Sequence, residues 1–214
     1  MSVNWAAGLM RWMPYVAVSG KAYPLNHLHP FRFTLILVTP PASDGLPVDL
    51  EIGFSMHTFS RGRRADDSSE EVYSDPRECR IFDEERYVLS HRLPDIVRNL
   101  SSGKCYHARN QNYLSIVCIS ESNGACEYRI FFVLQRSKRA PASPRPCVRL
   151  IVQSAYPAPP TGRGKESPIR FPVLLRRVLG LSTSQKKRRP RTNAGPRSPN
   201  LLDIPHQVRT PKGG

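Results

Sequence analysis

Apolar positions fall into short, dense runs separated by turn formers. Residues 128–135 (YRIFFVLQ) and 148–156 (VRLIVQSAY) are rich in β-branched and aromatic side chains. Such runs predict buried strands, here at the centre of a sheet, joined by the basic, proline-containing connection 136–147. Residues 31–38 (FRFTLILV) predict a strand stopped by Pro40 and Pro41, and residues 48–56 (VDLEIGFSM) alternate apolar with polar or small positions. That alternation gives one buried face, and the two runs predict a hairpin. Residues 105–108 and 113–119 add two more strands, the second joined to 128–135 through the turn-forming Ser122, Asn123 and Gly124. Residues 15–18 and 80–82 are brief extended pieces. Helical spacing is clear only in 83–100, where Leu89, Leu93, Ile96, Val97 and Leu100 recur on one face. Asp83, Glu84 and Glu85 suit the positive end of its dipole, and Pro94 predicts a kink or two short helices because it removes a backbone donor. The expected fold class is α+β, a mainly antiparallel sheet packed against one kinked helix or two short helices.

Composition then sets the limits of that domain. Residues 14–157 are expected to form it, with 1–13 a flexible N-terminal segment and 158–214 a basic, proline-rich, disordered tail. Ten of the 21 prolines lie beyond residue 156. Most of that region has too little apolar surface to offset the entropy of ordering. Within it, residues 169–181 have the pattern of a brief basic amphipathic helix. Charge is equally uneven: residues 1–156 hold 19 Lys and Arg against 15 Asp and Glu, whereas residues 157–214 hold 13 against 2. A segment so one-signed is attracted to polyanions. Five cysteines at wide spacing form no zinc ribbon or disulfide framework, which points to reduced thiols and a cytoplasmic setting. No apolar run approaches the ~20 residues of a membrane span.

The cluster Lys186, Lys187, Arg188, Arg189 and Arg191 is the strongest electrostatic feature, and with Arg136, Lys138 and Arg139 it predicts binding to the RNA or DNA backbone. An acidic protein partner would meet the same charge, and docking to an anionic membrane surface is the less favoured use of residues 169–181. Tyr106, Tyr113 and Tyr128 near these charges suggest an aromatic platform for a single strand, whereas charges and prolines at a sheet edge also serve simply to protect it. Catalysis has one candidate set. His57 can take a proton, Arg61 can neutralise a phosphorane, and the Ser154 and Tyr156 hydroxyls can orient a phosphate, which is what a metal-independent ribonuclease requires. Ordinary structural roles account for the same four residues more simply. His27 and His29 have H-x-H spacing without a third ligand, so no metal is expected. With no phosphate loop or dinucleotide fingerprint, no cofactor is expected either.

Several separated pieces resemble one bacterial family, sometimes labelled stationary-phase growth adaptation proteins and often found with plasmids or other mobile elements. They are LNHLHPF at 25–31, FSMHTF at 54–59, ERYVLSHRLP at 85–94, KCY at 104–106, Asn112 and Tyr113, FFVLQRSK at 131–138 and VQSAY at 152–156. The resemblance implies a role in stress or stationary-phase adaptation. A weaker similarity, of layout alone, is to the barnase and colicin type of toxin ribonuclease, through the helix at 84–100 followed by strands ending in Ser154 and Tyr156. The leading expectation is a nucleic-acid-interacting protein that acts by binding, with a toxin-like ribonuclease or a module for an acidic partner as alternatives.

Overall fold

The computed structural model describes residues 9–38, 44–67, 71–108, 113–121, 124–137, 145–160 and 167–181, which belong to one compact unit ending at Ser182. The chain forms β1 (Tyr15–Val16), β2 (Ala22–Tyr23), β3 (Phe31–Leu37), β4 (Leu46–Phe54), β5 (Ser60–Arg61), β6 (Val72–Ser74) and β7 (Cys79–Phe82). Helices α1 (Glu84–Ser90) and α2 (Leu93–Arg98) follow. Then come β8 (Lys104–His107), β9 (Tyr113–Glu121), β10 (Gly124–Arg136), β11 (Cys147–Ala158), β12 (Ile169–Arg170) and α3 (Phe171–Leu179). The fold is α+β. Seven strands share one sheet in the order β12-β8-β9-β10-β11-β4-β3, while β5-β7-β6 and β1-β2 form two small ones.

The expected hairpin β3–β4 is present, and β10 lies at the centre of the large sheet beside β11. What local pattern did not reveal is that β11 pairs with β4 in parallel, Val152 beside Phe54. This contact joins the strands before the helices to those after them. One row of partners, His107, Tyr113, Phe132, Val152 and Phe54, consequently crosses five strands. Opposite Phe131 and Phe132, β11 carries a bulge: Phe132 pairs with Val152, but Phe131 pairs with Ser154. The extra residue, Gln153, reverses the alternation, so Ala155 rather than Ser154 is buried with Val152.

The two expected helices are separated by a turn at His91 and Arg92. Asp83 caps α1, its Oδ1 accepting from the Arg86 amide at 3.0 Å. Pro94 falls in the first turn of α2, where its missing N–H costs nothing. Leu89, Leu93, Val97 and Leu100 reach the core as their spacing requires.

Both limits of the domain move outward from 14–157. Trp12, in the stretch expected to be flexible, is 3% exposed, and its indole Nε1 donates to the Phe54 carbonyl at 3.0 Å. Its ring meets Phe59 edge-on at 5.6 Å. A single large indole with one satisfied donor anchors a segment too short to show a hydrophobic period. At the other end, residues expected in the disordered tail form β12 and α3. Phe171, Leu174, Leu175 and Leu179 are buried, each contributing roughly 1.5–3 kcal/mol of burial. Pro172 occupies the first turn of α3, and Gly180, at φ 74°, closes it. The Leu181 amide donates to Arg176 O and the Gly180 amide to Arg177 O, which satisfies the last carbonyls. Residues 1–8 and 182–214 lie outside the described residues.

A chain trimmed to 14–157 should therefore show no cooperative urea transition by circular dichroism. In the full chain, Trp12→Ala is expected to cost about 3–5 kcal/mol and Leu174→Ala about 2–5 kcal/mol, read from the same transition.

Candidate functional site

Two places gather chemistry. The first contains half of the expected catalytic set. β5, the turn after it, the start of α1 and the end of β11 enclose a cleft of about 370 Å³ lined by Arg61, Gly62, Arg64, Asp83, Glu85, Arg86, Tyr156 and Pro157. The bulge in β11 places Tyr156 on the face of Phe131, with ring centroids 5.7 Å apart. Arg86 lies over the Tyr156 ring at 5.2 Å. Its Nη1 donates to the carbonyls of Ser60 at 2.9 Å and His57 at 3.2 Å, so this cation is also a structural clamp.

His57 does not line that cleft. It sits on a 3-10 turn, Met56–Thr58, and its Nε2 lies 2.8 Å from Glu78 Oε1. Burial lowers its pKa, the charge of Arg80 adds to that, and the hydrogen bond to Glu78 opposes it. Arg61 is taken up by Asp67, Nη1 donating to Oδ2 at 2.6 Å, with Asp83 3.8 Å away. The Arg61 hydrogen bond, followed by the Arg64 amide, holds the Asp67 carboxyl down to about 2. Ser154 is half-buried beside Phe131. The geometry thus brings Arg61 and Tyr156 together and turns the proton-accepting ring toward a different carboxylate.

The second place was not singled out from the sequence. β12 pairs with β8 so that Arg170 stands directly opposite Lys104. On the following helix, Arg177 Nη1 lies 3.5 Å from His107 Nε2 at the end of β8. Lys104, His107, Arg170 and Arg177 are all exposed, and none is in an ion pair among the described residues. Like charges directly opposite on a sheet repel. Lys104 and Arg170 are 66 positions apart, so no local pattern reveals the pair. The basic spacing in 169–181 was the only available signal.

The remaining expected binding residues separate. Arg136 is exposed at the end of β10, whereas Lys138, Arg139, Lys186, Lys187, Arg188, Arg189 and Arg191 lie outside the described residues. The aromatic platform does not form, because Tyr128 and Tyr106 are buried and Tyr113 packs on Phe132. Arg149 is bound to Glu51 at 2.8 Å.

His27 and His29 do not converge on a shared ligand position. His27 stacks on His91 with centroids 3.7 Å apart and its Nε2 lies 2.7 Å from Ser90 Oγ, while His29 Nε2 lies 3.2 Å from Trp12 O. Among the described residues no group of three or more His, Cys, Asp or Glu is placed to hold a metal. Four cysteines, Cys79, Cys105, Cys126 and Cys147, are unbridged, and burial pushes the Cys105 thiol up to about 12. No helix among the described residues is long and apolar enough to cross a membrane.

The histidine stack makes stability depend on pH. Burial, then the charges of His91 and His29, lower the pKa of His27 to about 4. The unfolded chain, with the ordinary value near 6.5, therefore takes up the proton first. The contribution of His27 is complete above pH 6.5 and declines as pH falls toward 4. Allowing for its partial exposure, lowering pH from 7.5 to 5 should cost roughly 1 kcal/mol through this group. In urea transitions at the two pH values, His27→Gln should lose less than the parent. In a separate titration by NMR, Asp67 should show a midpoint near 2, and Arg61→Ala should move it up toward the ordinary carboxylate range.

Comparison with curated proteins finds no match, nor does comparison with solved structures. A family model does match, over residues 15–179, from β1 to the last residue of α3. The matched span starts beside the expected residue 14 and runs past 157 to the end of α3, and the chain belongs to the YjaZ family.

Proposed function

We propose that this protein binds the phosphate backbone of RNA or DNA, using the cationic corner of β8, β12 and α3 together with the basic segment that follows it. The carrying observation is the opposition of Lys104 and Arg170, beside Arg177 and His107, without an ion pair among the described residues. Many arginines elsewhere among the described residues are matched: Arg32 and Arg149 with Glu51, Arg61 with Asp67, Arg77 with Asp75, Arg98 with Asp95, Arg129 with Glu127. A phosphate backbone relieves the repulsion at the corner and releases its own counterions, whereas a surface of matched pairs gains little from either. Lys186, Lys187, Arg188, Arg189 and Arg191 add further positive charge later in the sequence. Binding of this kind is blind to sequence and strongly salt-dependent. We place it in the cytoplasm, on the basis of its wide-spaced cysteines, and in stress or stationary-phase adaptation, the role implied by the family resemblance.

Fluorescence anisotropy with a labelled single-stranded RNA, in EDTA and across a salt series, tests this. Replacing the five basic residues among 186–191 with Gln should flatten the plot of log affinity against log salt by about 3 to 4. Lys104→Gln with Arg170→Gln should weaken binding further and, by removing a like-charged pair, leave the fold equally stable or roughly 0.5 kcal/mol more stable. Affinity unchanged by both sets of substitutions would rule the reading out. Shortening of the RNA in EDTA, abolished by His57→Ala, would replace it with the ribonuclease.

A further inference from the structure

We propose that this chain forms a two-fold dimer in which β3 pairs antiparallel with β3 of a second copy. β3 ends the large sheet and, among the described residues, pairs only with β4. Its outer backbone edge is therefore a template for another strand. Proteins normally blunt such an edge with prolines, lysines, bulges or brevity. The opposite edge of this sheet is blunted in that way, since β12 has two residues and runs directly into a helix with Pro172 in its first turn. β3 has none of these devices. It runs seven residues in unbroken register, without proline or lysine, and its one charge, the exposed Arg32, is paired with Glu51 of β4 at 2.7 Å. Ile36, at 59% exposed, stands on the outward face of this strand.

The sequence of β3 is self-complementary in the register that pairs its whole length. Centring the two-fold on Thr34 sets Phe33 opposite Leu35 and Phe31 opposite Leu37 on the core-facing side. On the outward side it sets Arg32 opposite Ile36 and Thr34 opposite its own copy. Within β3 no like charges meet, and on the core-facing side apolar side chains meet apolar ones. A second copy is therefore a better occupant than an arbitrary peptide.

Sedimentation velocity of the full chain, freed of nucleic acid and run as a concentration series, should show a monomer–dimer equilibrium. Ile36→Lys places a cation opposite Arg32 twice per interface and should weaken the dimer roughly ten-fold. Ile36→Glu, equally polar, places a carboxylate there and should keep or tighten it. Circular dichroism and urea transitions at low concentration verify that both variants fold as the parent does. A parent that stays monomeric throughout the series overturns the proposal. So does a dimer that both variants weaken equally, or that neither affects.

Discussion

The row His107, Tyr113, Phe132, Val152 and Phe54 is the constraint on which the rest of the molecule depends. It crosses five strands and includes the parallel junction of β11 with β4, which closes the sheet between distant parts of the chain. The terminal segments dock on it: Phe171 of α3 meets Phe132 edge-on at 6.2 Å, and Trp12 donates to the carbonyl of Phe54. Each addition buries surface that the row alone would leave exposed. The folded unit therefore reaches well past the strands that first announce it.

The same closure sorts the charges. Neighbouring strands bring Arg32, Glu51 and Arg149 into one ladder on the outward face of the sheet. Burial acts to raise the pKa of Glu51, but hydrogen bonds from the two arginines win and hold it below the ordinary carboxylate value. At the far edge, closure has the opposite effect. β12 can pair with β8 only if Arg170 meets Lys104, so the strand that completes this edge also concentrates positive charge there. A short edge strand that repels its neighbour is poor stabilisation on its own terms.

The cleft beside Tyr156 shows how one inserted residue changes the possible chemistry. The bulge at Gln153 turns Ser154 and Tyr156 onto the Phe131 face and leaves Ala155 opposite Ile130. Arg86 then bridges α1 to Tyr156 and to the His57 carbonyl, while the His57 ring pairs with Glu78. Residues of the right types for phosphate chemistry are close together, but Arg61 and Arg86 are occupied by Asp67 and by backbone carbonyls.

The sequence by itself determined the strands and helices with a clean period: β3 and β4, the central pair β10 and β11, and the Asp83-capped helical stretch broken near Pro94. In each, apolar spacing and a stop signal lie within a dozen residues, where pattern and propensity act together. It also showed that the C-terminal region is basic, because charge is a sum over residues and needs no coordinates. Only tertiary structure decided the parallel partner of β11, the bulge that reorients Ser154 and Tyr156, the anchoring of Trp12 and the burial of α3. It alone brought Lys104 to Arg170. Those outcomes come from contacts between residues tens of positions apart, whose energy exists only once the chain has closed on itself.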